Sequence, residues 1–296
     1  MLSAAGSDPF LADSPGVTPL TIAEKYRLIL PVARLVSGDQ GYTAVNADAE
    51  FNDPSHAAYQ RTHHGLEWGF VLASQRSCAL GRVLEACQRR DPALFRETFG
   101  PAAAELLSVT SAATPDERLR PVEGALLWQE PWVSRFRAAG DVPAFRAAQN
   151  EVAIEGALDP NLPLARALGF TTDRALAMLF DRCVQMGNGA GPRFVVDAIS
   201  PLPGHEGAAL EALGFATVQA FQESVRLRPT GRLDTSTSAA MIEALRRLGP
   251  AAPVSVPPLA DMLDRLASAA SGRRFARRVA ALRTTPELGD TERSLS

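Results

Sequence analysis

Two segments decide the fold of this 296-residue chain: Phe145-Arg-Ala-Ala-Gln-Asn-Glu-Val-Ala-Ile-Glu-Gly-Ala-Leu-Asp-Pro160 and Leu168-Gly-Phe-Thr-Thr-Asp-Arg-Ala-Leu-Ala-Met-Leu-Phe-Asp-Arg-Cys-Val-Gln-Met-Gly-Asn-Gly189. Apolar residues recur through both at helical spacing, which predicts two amphipathic helices. Gln149, Asn150 and Gln185 interrupt otherwise apolar surfaces. A buried amide must find hydrogen-bond partners, so these side chains either pair inside the protein or face a polar ligand.

Helical signals also open the chain. Thr21-Ile-Ala-Glu24 is a capping box, and it predicts a helix that kinks at Pro31 and continues to about Val36. Ser37-Gly-Asp-Gln-Gly41 then ends this helix, because two closely spaced glycines favour a turn.

The strand signals are few. Residues 65–72 are the best strand candidate, and alternation sends Glu67 to the opposite face from Leu66 and Trp68. Whether that face lines a cleft or meets bulk water stays open. Residues 110–123 are predicted as a polar loop, and an aromatic stripe at spacing four, Trp128, Trp132 and Phe136, predicts a further helix. The predicted fold class is mainly α with one small β-hairpin.

Composition excludes several classes of function. Hydrophobic residues make up 46% and charged residues 21%, as in folded soluble proteins, and the net charge of −3 gives no reason to expect nucleic acid. No apolar run is long enough to insert into a membrane. The amino terminus lacks the features of a signal peptide, so synthesis in the cytoplasm is expected. Three cysteines, Cys78, Cys87 and Cys183, are expected to be free thiols.

No metal and no cofactor are expected. His56, His63 and His64 are close in sequence, but adjacent histidines on a strand point to opposite faces, and no Cys or acid completes a recognised zinc spacing. Glycine-rich phosphate loops and nucleophile elbows are also missing from the sequence.

Breaks in composition predict five parts. Residues 1–18 form a flexible lead-in, 19–200 the main domain, 204–249 a small domain, 250–258 a Pro-rich hinge, and 259–296 a helix and tail. The last part contains four arginines, Arg273, Arg274, Arg277 and Arg278. These form either a solvated face or a docking site for an anionic partner.

Residues 24 to about 199 resemble the chitosanase-like and lysozyme-like glycoside hydrolases. The resemblance rests on Ala148-Gln-Asn150 and Asp181-x-x-Val-Gln-x-Gly187, and on four words nearer the amino terminus: Tyr42-Thr-Ala-Val-Asn46, Asp48-Ala-Glu-Phe51, Tyr59 and His64-Gly-Leu-Glu-Trp-Gly69. It implies a lysozyme-like helical domain with a small β-hairpin. It also implies an amino-sugar polymer as the substrate.

The resemblance assigns candidate catalytic residues. Glycosidic hydrolysis needs a protonated acid near the leaving oxygen, and usually a second carboxylate on the opposite face. In such enzymes the acid follows the first long helix, where this chain has Asp39 instead of the usual glutamate, or Ser37 if the loop is aligned two residues differently. The second carboxylate is missing near Cys78. Glu50 and Glu67 remain as substitutes.

The same resemblance assigns six residues to substrate binding: Tyr42, Asn46, Gln75, Gln149, Asn150 and Gln185. Asp181 is expected to form a structural ion pair with an arginine such as Arg146 or Arg182 instead of acting in catalysis.

A second resemblance covers about forty residues. Val218-Gln-Ala-Phe-Gln222, Thr230-Gly231, Asp234 and Ala239-Ala-Met-Ile-Glu-Ala-Leu245 resemble the small three-helix peptidoglycan-binding domain. It implies peptidoglycan as the partner.

Two functions follow. The first is an endolysin-like hydrolase that acts at the cell wall after lysis or particle-mediated delivery. The second is a catalytically inactive glycan-binding or structural component of a phage-tail-like or contractile injection particle, because the departures at Asp39 and at Cys78-Ala79 remove the expected acid pair.

Overall fold

The computed structural model describes residues 20–47, 64–249, 252, 254–269 and 273–290. The predicted fold class is confirmed: the chain is mainly α-helical with one small antiparallel sheet. The sheet strands are β1 (Val45–Asn46), β2 (Glu67–Trp68) and β3 (Ala73–Ser74). No helix in these described ranges is long and apolar enough to cross a membrane.

Helices account for most of the described residues. In chain order they are α1 (Ile22–Ser37), α2 (Ala79–Arg90), α3 (Pro92–Phe99), α4 (Ala103–Thr110), α5 (Pro115–Arg118), α6 (Trp132–Gly140), α7 (Pro143–Ala153), α8 (Leu162–Leu168), α9 (Asp173–Ile199), α10 (Glu206–Ala212), α11 (Val218–Ser224), α12 (Thr235–Leu248), α13 (Leu259–Ala269) and α14 (Arg273–Thr284).

The chain forms two compact units. The central unit is residues 32–156, and the helical unit combines residues 1–31 with 157–296. The boundary falls inside α1, after Pro31. The domain boundaries predicted at 200, 249 and 258 stay predictions.

The capping box predicted at the start of α1 is confirmed. The Thr21 amide donates to Glu24 Oε2 at 2.8 Å, and the Glu24 amide donates to Thr21 Oγ1 at 3.3 Å. A second capping box lies in the segment predicted as a loop at 110–123, where Thr114 and Glu117 start α5. The loop prediction was therefore wrong for the four residues of α5, because the reciprocal cap stabilises even a single helical turn.

Aromatic side chains fill the core of the central unit. Phe99 has ring neighbours at 4.9 Å (Phe95), 5.4 Å (Phe136) and 6.2 Å (Phe145), measured between centroids. The predicted aromatic helix exists but begins only at Trp132, so the extension to Trp128 was wrong. Pro131 stands immediately before the helix, and a proline disfavours helical backbone in the residue that precedes it.

The small sheet has a core face and a polar face. Trp68 pairs with Val45 and Ala73, and the Trp68 side chain is fully buried. The strand predicted over residues 65–72 is only two residues long, because positive φ angles at Gly69 (86°) and Leu72 (53°) turn the chain back.

A buried charge cluster crosses the core of the helical unit. Asp181 on α9 accepts hydrogen bonds from Arg182 and from Arg278 on α14, with Arg278 Nε at 2.8 Å. All three residues are at most 5% exposed. The predicted structural role of Asp181 therefore involves Arg182, whereas Arg146 pairs with Asp141.

This cluster corrects the prediction for the carboxyl-terminal arginines. Arg277 is exposed, as a solvated face requires, but Arg278 is buried against Asp181. Arg174 stabilises the same region, since its guanidinium donates to the carbonyls of Leu282 and Leu288 near the end of α14. Helix α14 is therefore an integral part of the helical unit.

One buried amide organises residues 204–249. The Gln222 side chain is fully buried, and its Oε1 accepts from the Gly231 amide at 2.9 Å. Its Nε2 lies 2.9 Å from the Arg232 carbonyl and 2.8 Å from Thr237 Oγ1. Asp234 caps α12 through the Thr237 amide at 2.8 Å. The sequence motif that resembles a peptidoglycan-binding domain therefore includes residues that hold the loop between α11 and α12 in place, namely Gln222, Gly231 and Asp234.

Substitution of Gln222 tests this arrangement. We expect Gln222→Leu to lower the free energy of unfolding by about 2 kcal/mol, because the loop amide and carbonyl lose a buried partner. Urea unfolding followed by circular dichroism measures the change. The matched control is Gln219→Leu, since Gln219 is exposed on the same helix and should change stability by less than about 0.5 kcal/mol. Equal effects of the two substitutions would contradict the role of Gln222.

The cysteines give a second test of packing. All three are free thiols, and burial raises the pKa of the Cys87 and Cys183 thiols to about 12. Cys78 is only half-buried. Because the thiolate is the reactive form, a disulfide reagent at pH 8 should modify one thiol in the native protein and three in denaturant. Rapid native modification that persists in Cys78→Ser would show that the buried sites open.

Candidate functional site

Asp39 and Tyr42 lie on a short 3₁₀ segment, Gly38–Thr43, directly after α1. Gly38 and Gly41 have positive φ angles of 60° and 54°, so the glycines permit the turn that ends the helix. The Asp39 side chain is exposed and forms no hydrogen bond or ion pair with the other residues that the structure describes. Its carboxylate is therefore accessible to a ligand.

The 3₁₀ segment packs directly on α6. A Cβ added to Gly140 would lie 2.4 Å from the Tyr42 carbonyl oxygen and 2.5 Å from the Thr43 Cα. Only glycine permits this approach. The path of the segment that carries Asp39 therefore depends on a residue about a hundred positions away in sequence.

Gln149 on α7 connects this segment to the sheet. Its Nε2 donates to the Tyr42 carbonyl at 3.3 Å, and its Oε1 accepts from the Phe70 amide at 3.0 Å. The side chain is 2% exposed. Gly69 lies so close that an added Cβ would meet Gln149 Oε1 at 2.2 Å. One buried amide thus connects the Asp39 segment to the hairpin that contains Glu67.

The polar face of the sheet contains a paired carboxylate. Asn46 and Glu67 are register partners on β1 and β2, and Asn46 Nδ2 donates to Glu67 Oε2 at 2.6 Å. Their side chains lie on the face opposite the buried Trp68. Asn46 is exposed and Glu67 is half-buried. Glu67 therefore faces outward from the core of the central unit, with the Asn46 amide beside it.

Tyr42 and Asn150 form a second polar pair. The Tyr42 hydroxyl donates to Asn150 Oδ1 at 2.9 Å. The Tyr42 ring packs on Phe70 with centroids 5.0 Å apart, and the Arg146 guanidinium lies 5.7 Å from the Tyr42 centroid. The Asn150 amide nitrogen forms no hydrogen bond within the described residues, so it is available as a donor.

The remaining predicted site residues lie elsewhere. Gln75 is fully buried, with Oε1 accepting from the Leu66 amide at 3.0 Å and Nε2 donating to the Arg118 carbonyl at 2.5 Å. Its amide is thus occupied inside the central unit, as is that of Gln149. Gln185 is half-buried on α9 of the helical unit. Glu50 lies outside the described residues, together with His56 and His63.

Two further positions come from the resemblance: Ser37, the alternative alignment for the acid, and Cys78, near the missing second carboxylate. The Ser37 hydroxyl donates to the Ala33 carbonyl at 2.9 Å, one turn back in α1. Cys78 precedes α2 with a positive φ of 66°. Among the described residues, no group of three or more His, Cys, Asp or Glu could hold a metal ion.

Charge pairs hold α7 in place. Glu151, next to Asn150, accepts from Arg89 at 3.1 Å and from Arg90 at 2.6 Å. Burial works to raise the pKa of Glu151, but these arginines outweigh it, and the pKa lies below its ordinary value. The helix that carries Gln149 and Asn150 is therefore connected to α2 by charge as well as by apolar packing.

The sequence does not show how these residues are connected. Gln149 is recognisable as a polar residue on an apolar helix, but the partners of its amide are backbone groups at Tyr42 and Phe70, which the sequence alone does not identify. The Asn46 and Glu67 pairing was also missed. The sequence feature that could have indicated this pairing is the alternation of side chains in both strands, which places Asn46 and Glu67 on the polar face once the register is known.

Comparisons with known proteins give only distant matches. No protein-family model and no curated protein matches the chain. Solved structures do match over most of its length. One is a native chitosanase from Bacillus subtilis MY002, at 15% identity over 91% of this chain and 89% of that chain, with a TM-score of 0.43. Another is a GH46 chitosanase from Gynuella sunshinyii in complex with chitotetraose, at 15% identity over 89% and 90%, with a TM-score of 0.46. At such low identity and TM-scores, the likeness carries no argument about chemistry.

Replacement of Gln149 tests its connecting role. We expect Gln149→Met, which keeps the volume and removes both amide hydrogen bonds, to lower the free energy of unfolding by about 2 kcal/mol. It should also broaden or shift the backbone NMR signals of Tyr42 and Phe70.

The control is Gln129→Met, because the Gln129 side chain is exposed in the same unit. If Gln149→Met leaves the free energy of unfolding and both NMR signals as they are in the control, Gln149 does not hold the Asp39 segment and the hairpin together.

Proposed function

We propose that this chain is a peptidoglycan-directed protein with a lysozyme-like fold whose central unit hydrolyses cell-wall glycan strands. The observation that carries the proposal is the buried Gln149 amide, which joins the turn carrying Asp39 to the hairpin carrying Glu67. Hydrolysis of a glycosidic bond usually uses two carboxyl groups. In this chain they lie on two separate segments that are held in place. The sequence words shared with lysozyme-like hydrolases support the same substrate class.

The chemistry assigns different tasks to the two carboxylates. Asp39, protonated, donates its proton to the leaving glycosidic oxygen as the bond to the anomeric carbon breaks. Glu67, ionised, accepts a proton from a water molecule whose oxygen attacks that carbon. Asn46 donates to one oxygen of Glu67 and so orients the carboxylate. After the bond is cut, Asp39 is ionised and Glu67 is protonated. A later proton transfer through solvent restores the starting state of both carboxyl groups.

Neighbouring polar groups support binding of a sugar polymer. Tyr42 presents an aromatic ring with its hydroxyl paired to Asn150, and the Asn150 amide nitrogen and the exposed Asn46 side chain provide further polar groups for sugar hydroxyls. Residues 204–249 act as the wall-binding part, which raises the local concentration of substrate. The protein reaches the wall after lysis or through delivery by a particle.

A second candidate function is glycan binding without turnover, as a component of a phage-tail-like or contractile injection particle. The specific observation that favours it is the exposure of Asp39, together with its shorter side chain. A general acid is usually kept protonated by an apolar or negatively charged surrounding. An error of about 1 Å in the position of a reacting group can lower the rate about 10²-fold.

The assay that distinguishes these functions measures release of reducing ends from purified peptidoglycan and from chitosan. We expect Asp39→Asn and Glu67→Gln each to lower the rate by about 10²-fold or more. The matched control is Glu97→Gln, an exposed carboxylate of the same unit, which should act like the wild type. Release at the level of buffer by the wild-type protein would end the hydrolase proposal.

Co-sedimentation with wall sacculi tests the second function. A protein that binds sacculi but releases no ends is a glycan-binding component. A protein that neither binds nor cuts sacculi or chitosan contradicts both functions.

A further inference from the structure

The loop between α11 and α12 carries three arginines whose charges no described residue neutralises. Arg226, Arg228 and Arg232 are exposed, and no acidic residue lies among residues 225–233. Their guanidinium groups form no ion pair or hydrogen bond within the part of the chain that the structure describes. This arginine loop, residues 226–232, therefore concentrates three positive charges in seven residues.

The two acids that flank the arginine loop have other hydrogen-bond partners. Glu223 Oε1 accepts from Gln219 Nε2 at 3.1 Å, and Asp234 Oδ1 accepts from the Thr237 amide at 2.8 Å. Neither carboxylate forms an ion pair with an arginine of the loop within the described ranges. The positive charge of the loop is thus not used by the fold. A cluster of exposed charges of one sign attracts ligands of the opposite sign.

Arg226 occupies a backbone position that favours glycine. Helix α11 ends at Ser224, and two hydrogen bonds then reverse the chain, from the Arg226 amide to the Glu223 carbonyl at 3.2 Å and from the Leu227 amide to the Gln222 carbonyl at 2.8 Å. This pattern is a Schellman motif, whose left-handed residue is usually glycine. Arg226 takes the left-handed conformation with a φ of 59°. Because glycine adopts it at lower cost, the stability of the helix end does not account for an arginine here.

Gln222 holds the backbone of the arginine loop at both ends. Its own carbonyl accepts from the Leu227 amide near the start of the loop. Its buried side chain bonds to the Gly231 amide and to the Arg232 carbonyl near the end, both at 2.9 Å. Since both ends meet at one buried residue, the three arginine side chains start from a compact and ordered backbone. A ligand with several negative charges can contact them without first ordering the loop.

We infer that the arginine loop binds a linear polymer of polyol phosphates, which has one phosphodiester in each repeat. A guanidinium can donate two parallel hydrogen bonds to the two non-bridging oxygens of a phosphodiester. The polymer offers these groups in succession, so contact with one arginine raises the local concentration of phosphodiesters at the other two. A small anion lacks this advantage. The inference rests on the proposed function only for the place where the polymer is met, because cell walls contain such polymers beside the glycan.

Calorimetric titration of the full chain with poly(glycerol phosphate) tests the inference. The wild-type protein should bind the polymer, with an affinity that falls as the salt concentration rises. Exposed charge pairs contribute about two- to fivefold each in affinity. Binding should therefore weaken by about tenfold or more in a variant with three substitutions: Arg226→Gly, Arg228→Gln and Arg232→Gln.

The matched control removes the same charge from exposed arginines of the helical unit outside the loop: Arg193→Gln, Arg265→Gln and Arg277→Gln. Charges that are distant from the binding surface are largely screened by salt, so this variant should bind within about threefold of the wild type.

Arg226→Gly alone separates binding from folding. It should weaken binding of the polymer by about two- to fivefold, whereas the urea midpoint of unfolding should stay equal or rise, because glycine is the preferred residue at this helix end. A lower midpoint would show that the arginine serves the helix end, and the inference would then be wrong.

Three results of the titrations would overturn the inference: no binding of poly(glycerol phosphate), equal losses in the two triple variants, or equally tight binding of polyglutamate. Tighter binding of single-stranded DNA than of poly(glycerol phosphate) would also overturn it and assign the loop to nucleic acid. The polymer contains no glycan, so its binding is measured separately from hydrolysis and from co-sedimentation with sacculi. Each claim can therefore fail without the other.

Discussion

The buried amide of Gln149 is the constraint on which the central unit depends. Its two ends satisfy backbone groups from parts of the chain that are far apart in sequence, the Tyr42 carbonyl and the Phe70 amide. Inside a protein an unpaired backbone group is costly, so the positions of the turn and the hairpin are coupled through one side chain. Gly69 and Gly140 leave the space that this coupling needs. The placement of Asp39 and Glu67 follows from it.

In the helical unit, buried charged side chains likewise connect parts of the chain that are far apart in sequence. Asp181 is buried between Arg182 and Arg278, and removal of one member of such a cluster leaves an uncompensated charge in the interior. Arg174 completes the attachment by binding carbonyl groups at the end of α14. Among the carboxyl-terminal arginines, Arg278 thus serves the fold.

The sequence predicted local structure well and long-range contacts poorly. Capping at Thr21 and the helix that buries Trp132 were predictable, because both depend on residues a few positions apart. The extent of β2 was not, since turns at positive φ shorten it. Site residues were selected by a family resemblance and by polarity, and neither distinguishes Gln149, whose amide is occupied internally, from Asn150, whose amide nitrogen is available. Such distinctions depend on tertiary partners, which one sequence does not specify.

We propose that Gln149 fixes a carbohydrate-binding surface made from the Asp39 turn and the polar face of the sheet. Amide NMR of the full chain during titration with an oligosaccharide of amino sugars tests it most directly. We expect the largest shifts at Tyr42, Asn46 and Glu67, and we expect these shifts to be absent in Gln149→Met. Shifts confined to the helical unit, or no shifts at saturating oligosaccharide, would contradict it.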